Sequence, residues 1–155
     1  MEKTLVIIKP SAVHRQLTGE VIARFERKGL KLVAMKMAQL SDEILAEHYA
    51  HLTDKPFYGG IKDSMQSSPV VLCAWEGVDC VRVVREMAGV TNARQAAFGT
   101  IRGDLSMSMQ KNIVHTSDSP ENAEIELARF FDENEFFEYF RPIDAEMYSS
   151  DELLA

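Results

Sequence analysis

Asn112-Ile113-Val114-His115-Thr116-Ser117-Asp118-Ser119-Pro120-Glu121 carries a short apolar run to the threshold of a helix. Ser119 followed by Pro120 reads as an N-cap with proline at the first helical position, where its missing N–H would have had no partner anyway. Asn112 to His115 reads as a short strand, so the stretch is a βα unit with His115 just outside a helix N-terminus. Backbone donors and the positive end of the helix dipole gather there, an environment that suits phosphate.

Working outward, the helix that begins at Pro120 buries Ala123, Leu127, Phe130 and Phe131, with Glu126 at the edge of that stripe. Helical side chains lean toward the N-terminus, so the Glu126 carboxylate points back toward the cap and His115. Upstream, Gly89 to Lys111 has no clear period, and a loop of about twenty residues in a compact domain is commonly functional. Thr91 and Arg102, with Arg94 and Lys111 nearby, are groups of the kind that bind phosphoryl oxygens.

The rest of the chain supplies the frame. Thr4 to Lys9 is a continuous β-branched apolar run closed by Pro10, the pattern of a strand buried on both faces with Lys9 at its end. Thr18 caps a predicted helix over Gly19 to Lys28, stopped by Gly29, and Leu30 to Leu40 reads as a second strand. Ser41 starts a helix in which Ile44, Leu45, His48, Tyr49 and Leu52 share a face, His48 and Tyr49 bordering the core. A turn over Asp54 to Gly60 carries Phe57 and Tyr58 and leads into a short helix ending at Ser67. Val70 to Glu76 is a third buried strand, and Asp79 to Ala88 a helix with Arg85 at the margin of its apolar face. The order is βαβ, helices, βα, loop, βα. It predicts an α/β (α+β) fold: a ferredoxin-like split-βαβ sandwich, its four-stranded antiparallel sheet covered by helices, with a long functional loop before the last strand.

At 155 residues and 46% hydrophobic content the chain fits one domain over residues 1–155, able to bury a core without disulfides or a structural metal. Cys73 and Cys80 lie in apolar segments with no metal-like spacing and read as buried free thiols, suited to a reducing cytosol. With no signal-like or membrane-spanning run, a soluble cytoplasmic protein is expected. Charge is uneven: fifteen Lys and Arg face twelve Asp and Glu up to His115, and two face twelve from Thr116 onward. That balance argues against nucleic-acid and anionic-membrane partners while allowing a local basic pocket. The acidic end, Ala145 to Ala155 within the segment 142–155, is a candidate mobile tail, the alternative being that the aromatics from Phe136 onward cover a subunit interface.

Fold alone does not decide function. One His with a carboxylate partner, cationic Lys9, Arg85 and Arg102, hydroxyls on Thr91 and Ser117 and an aromatic platform describe a phosphoryl-transfer site using a phosphohistidine. No Walker-type loop is present, so side chains must hold the phosphates. Val6-Ile7-Ile8-Lys9-Pro10, Lys55-Pro56-Phe57-Tyr58, Gly89-Val90-Thr91-Asn92, Gly99-Thr100-Ile101-Arg102-Gly103-Asp104 and Asn112 to Ser119 resemble, in order, the motifs of nucleoside diphosphate kinases, the likeness running from Lys3 to Phe131.

The resemblance implies ping-pong transfer. His115 would take the γ-phosphate of a nucleoside triphosphate such as ATP and pass it to a diphosphate such as GDP. It further implies that Lys9 and Asn112 bind the ribose hydroxyls, Lys9 also reaching the transferring phosphate. Tyr49 would approach the γ-phosphate, and Phe57 would stack on the base without reading it. Arg85, Thr91 and Arg102 would bind phosphates, while Glu126 and Ser117 orient His115. Mg2+ would be held mainly by the nucleotide's own oxygens, with no protein metal ligands, and a homo-oligomer, tetramer or hexamer, is implied. Two positions depart from the family pattern: Thr116 stands where glycine is usual and Ala93 where proline is common. Two other classes of protein remain as alternatives. An RNA-binding module of similar fold lacks its aromatic and basic run here, and a phosphohistidine carrier would leave Phe57, Lys9 and Asn112 without a purpose.

Overall fold

Leu5, Val6, Ile7 and Ile8 are all buried, although a strand sends alternate side chains to opposite faces. Helices on both sides of the sheet make this possible. The computed structural model describes residues 1–153. Strand β1 (Glu2–Ile8) lies inside a four-stranded antiparallel sheet with β2 (Lys31–Ala38), β3 (Val70–Gly77) and β4 (Val114–Thr116), in the order β2-β3-β1-β4. This is the predicted split-βαβ arrangement. β1 pairs along its whole length with β3, from Glu2 against Gly77 to Ile8 against Val71, and its last residues pair with β4, Ile7 opposite His115.

On one face Val6, Ile8, Val71, Cys73 and Trp75 pack against Val21 and Phe25 of α2 (Thr18–Lys28) and Val84 of α5 (Cys80–Ala88). The Phe25 and Trp75 rings lie 5.3 Å apart in a tilted pair. On the other face Leu5, Ile7, Leu72 and Ala74 meet Leu45 of α3 (Asp42–His48), Met65 of α4 (Tyr58–Gln66) and Leu127 and Phe130 of α7 (Pro120–Phe130). Both cysteines are free and buried, and burial pushes each thiol up to about 12, so they act as small apolar residues. Among the described residues no helix is long and apolar enough to cross a membrane.

Several boundaries differ from the sequence reading, each for a local reason. Pro10 does not merely close β1; it opens α1 (Pro10–His14), with Lys9 as its extended N-cap residue. Thr18 lies inside α2, and the N-cap is Leu17, which makes no side-chain cap bond. The aperiodic stretch contains a turn of 3-10 helix at Ala93–Gln95 and a one-turn helix, α6 (Ile101–Leu105). Thr100 caps α6 by accepting from the Gly103 N–H at 3.0 Å.

The last strand starts two residues later than predicted because Ile113 has φ +75° and the Val114 N–H bonds back to the Asn112 carbonyl at 2.9 Å. That is a γ-turn of the strained hand, rare for a β-branched residue and worth about 1–3 kcal/mol of strain. Full burial of Ile113, and the Lys9 N–H bonded to its carbonyl at 2.9 Å, hold it there.

Just ahead of the expected acidic tail the chain is fastened to β2 and the turn before it. The Phe137 N–H donates to Val33 O at 2.8 Å, the Tyr139 hydroxyl to Leu32 O at 2.7 Å, and the Arg141 guanidinium to Leu30 O and Gly29 O. A short helix, α8 (Asp144–Met147), follows and lays Met147 against Gly29. Of the expected tail, Leu154 and Ala155 lie outside the described residues.

Candidate active site

His115 sits in β4, and Ser119 caps α7 as the sequence indicates, its Oγ accepting from the Asn122 N–H at 3.1 Å. Glu126 then lies on the second turn of α7, facing the strand. Its Oε2 is 2.8 Å from His115 Nε2 and accepts the Ser117 hydroxyl at 2.7 Å. Burial raises the Glu126 pKa, but the bonds from His115 and Ser117 outweigh it and hold the carboxyl below its usual range. An ionised carboxylate can only accept, so Nε2 carries the proton and Nδ1 is the His115 nitrogen with a free lone pair.

The cations come from three elements. Lys9, at the β1–α1 junction, donates from Nζ to Asn112 Oδ1 at 2.7 Å, and Asn112 Nδ2 donates to Thr91 O at 2.9 Å. Burial, with Arg102 adding, pushes the Lys9 ammonium down to about 7. Arg102, almost wholly buried in α6, donates to the carbonyls of Asn112 (3.3 Å), Gly89 (2.7 Å) and Val114 (2.7 Å). It pairs with no carboxylate among the described residues, and burial together with Arg85 lowers it to about 10. A buried guanidinium that meets carbonyls but no carboxylate, beside a second arginine, keeps a positive charge that suits an anion.

Gly103 lets Arg102 reach this position. A Cβ on Gly103 would meet Ala97 O at 2.0 Å, so α6 packs on that carbonyl only with glycine there.

Two joined cavities use these groups. One, of about 580 Å³, is lined by Lys9, Tyr49, Arg85, Thr91, Arg102 and His115. The second, of about 740 Å³, shares Lys9, Tyr49, Thr91 and Asn112 and runs on past Phe57, Ile61, Met65 and Met109. Phe57 is 54% exposed at the entrance to α4, an open ring rather than a core plug. The cleft is therefore cationic and polar at the His115 end and largely apolar at the Phe57 end, the same division a nucleotide has between phosphates and base.

The chain belongs to the nucleoside diphosphate kinase family. The family model described as "Nucleoside diphosphate kinase" matches residues 2–136. A nucleoside diphosphate kinase of Parabacteroides distasonis is 61% identical over 152 residues, 98% of this chain and 99% of that protein. One from Methanothermobacter thermautotrophicus is 48% identical over 147 residues, covering 95% and 97%. The solved structure of a halophilic nucleoside diphosphate kinase from Halobacterium salinarum in complex with CDP superposes with a TM-score of 0.92 at 41% identity, covering 96% of this chain and 99% of that one. The kinase is thus an enzyme of phosphate transfer between nucleotides.

Of the residues singled out in the sequence, His115, Glu126, Ser117, Lys9, Tyr49, Arg85, Thr91, Arg102, Asn112 and Phe57 meet at this cleft of the kinase. Arg94 and Lys111 do not. Arg94 turns away to Met107 O, and exposed Lys111 lines neither cavity. Thr116, which stands where glycine is usual, is a buried β4 residue opposite Val6 that also lines the His115 cavity. Two groups escaped the sequence reading of the kinase. His48 is more than a core-border residue, because its ring stands 4.6 Å from the His115 ring at 82°. Arg129 of α7 donates to His48 Nδ1 at 3.1 Å and to Glu47 at 3.0 Å. Helical spacing showed that His48 faces inward, but nothing in it marked a partner 81 residues away.

Among the described residues one group has metal-type ligands close together, His48, His115 and Glu126, with ligand atoms within 4.8 Å. It does not suit Mg2+, a hard ion that takes octahedral oxygen ligands. Two of the three are imidazoles, Arg129 occupies one of their nitrogens, and Lys9, Arg85 and Arg102 line the same cavity.

Proposed function

We propose that this kinase moves the γ-phosphate of a nucleoside triphosphate to a nucleoside diphosphate by a ping-pong route through a phosphohistidine on His115. Nδ1 attacks the γ-phosphorus, the bond to the β–γ bridging oxygen breaks, and the diphosphate leaves with that electron pair. A terminal oxygen of a second diphosphate then attacks the phosphohistidine and regenerates neutral His115. The observation that carries this reading is the Ser117–Glu126–His115 array, which leaves one imidazole nitrogen as a lone pair at the cationic end of the cleft.

Arg85, Thr91 and Arg102 bind the phosphates, and Lys9 and Tyr49 meet the transferring group, so negative charge that spreads in the transition state encounters fixed donors. Lys9 and Asn112 take the ribose hydroxyls. Phe57 stacks on the base through a face every base possesses, which favours broad base tolerance. Mg2+, carried by the nucleotide's own phosphates rather than by protein ligands, would neutralise part of their charge. The domain spans the chain, works in the cytoplasm and assembles with copies of itself into a tetramer or hexamer.

The test is direct. Protein incubated with ATP labelled at the γ-phosphate should acquire acid-labile, base-stable label that unlabelled GDP removes. His115→Ala should acquire none. Label on that variant would overturn the mechanism, and label that GDP leaves in place would favour a carrier protein.

A further inference from the structure

The His115 ring is held from two sides, and only one of them is accounted for by Glu126. The other is His48, the C-terminal residue of α3, which lies among three rings: His115 at 4.6 Å, Tyr49 at 4.7 Å and Phe130 at 5.2 Å, all within 18° of perpendicular. Nearly all of His48 is buried. Its one protein hydrogen bond among the described residues is from the Arg129 guanidinium to Nδ1. Arginine can only donate, so this contact fixes Nδ1 as an acceptor and puts the His48 proton on Nε2. Arg129 is itself mostly buried and is steadied on its outer side by exposed Glu47.

We infer that Arg129 is a positioning residue for phosphoryl transfer: it pins His48 in one neutral tautomer and one ring orientation, and His48 in turn sets the planes of His115 and Tyr49. The inference rests on His115 being the nucleophile.

Electrostatics gives the same arrangement a second consequence. The titratable groups around His48 are His115 from β4, Glu126 and Arg129 from α7, Lys9 from the β1–α1 junction and Tyr49 beside it. Burial first, then His115, Arg129 and Lys9, push the imidazole down to about 3, against the pull of Glu126. A protonated His48 would draw on the Glu126 carboxylate that His115 needs. Burial and His115, the larger causes, remain when the Arg129 charge is removed, so His48 stays neutral in Arg129→Met, and what that variant loses is the fixed tautomer and ring plane.

The experiment follows phosphohistidine formation from labelled ATP in a single turnover, over pH 5 to 9. Arg129→Met should slow it about tenfold at neutral pH, in line with misplacement of a reacting group, with the half-saturating ATP concentration within about twofold of wild type. Arg129→Lys, which keeps a cation and a donor, should recover most of the rate. Glu47→Gln, which breaks the ion pair but leaves His48 untouched, should react within about twofold of wild type. A wild-type rate in Arg129→Met would overturn the inference, as would equal damage in Glu47→Gln, which would make the ion pair merely structural. Nitrogen-15 histidine spectra of the wild-type protein give an independent check: His48 should stay neutral with Nδ1 unprotonated throughout, and a protonated Nδ1 would refute the proposal. If wild-type protein takes no label on His115, the proposed reaction falls instead.

Discussion

One oxygen of Glu126 accepts from both His115 and Ser117, so a single side chain decides which imidazole nitrogen remains available. Glu126→Ala removes that decision without touching the phosphate ligands. It should lower the rate of His115 phosphorylation by roughly ten- to a hundredfold, the range for losing a group that orients a histidine, while nucleotide affinity changes little. Equilibrium binding and single-turnover labelling separate the two, and a loss confined to affinity would show Glu126 to be structural. Lys9 adds a pH dependence. Because burial holds it near 7, it is charged below that pH in the free enzyme and must take up a proton to meet a phosphate above it. The ratio of affinities for a non-hydrolysable triphosphate analogue, wild type over Lys9→Met, should therefore fall as pH rises from 7 to 9, by up to about tenfold per unit. A ratio independent of pH would contradict this. The His115–Glu126 pair was legible in the sequence because both residues flank one helix cap, eleven positions apart. Arg129 was not, because its meaning depends on a histidine from a distant helix.

Among the elements, α6 is the clearest case of structure that periodicity does not reveal. Five residues are too few to show a 3.6 period, and the informative features are Thr100, a cap, and Gly103, which admits the Ala97 carbonyl. Gly103→Ala should displace α6 and Arg102 with it, raising KM for the triphosphate on the order of tenfold or more, with His115 still slowly labelled. Steady-state kinetics with circular dichroism as a check on folding would test this; an unchanged KM would mean that the loop yields elsewhere. The long strands were legible for the opposite reason. Their continuous apolar runs require cover on both faces, and the two packed clusters supply it. α1 was missed because Pro10 serves equally well to end a strand and to begin a helix.

At the scale of the molecule, β2 and β4 are opposite edges of the sheet, and the site belongs to β4. The segment after Phe136 covers the start of the β2 edge by bonding to the carbonyls of Leu32 and Val33, and of Gly29 and Leu30 just before the strand. Composition and charge concealed this, since nothing in them marks which carbonyls Tyr139 and Arg141 will meet. A chain ended at Phe136 should lose about 2–5 kcal/mol, taking each net hydrogen bond at about 1 kcal/mol, and unfold at a lower temperature, yet still accept label on His115. Loss of labelling in a folded truncated chain would tie that edge to the site. The γ-turn at Ile113 has a bearing on how activity is acquired. A strained backbone has nothing to hold it until the surrounding packing exists, so Asn112 and His115 should reach their final places after the sheet has formed. On refolding, fluorescence of the single tryptophan, Trp75, should recover before phosphate-accepting activity does, and Ile113→Gly should shorten the delay because glycine enters positive φ freely. Simultaneous recovery in the wild-type chain would show that the turn forms early. The delay makes chemical competence a late report that the whole molecule has folded.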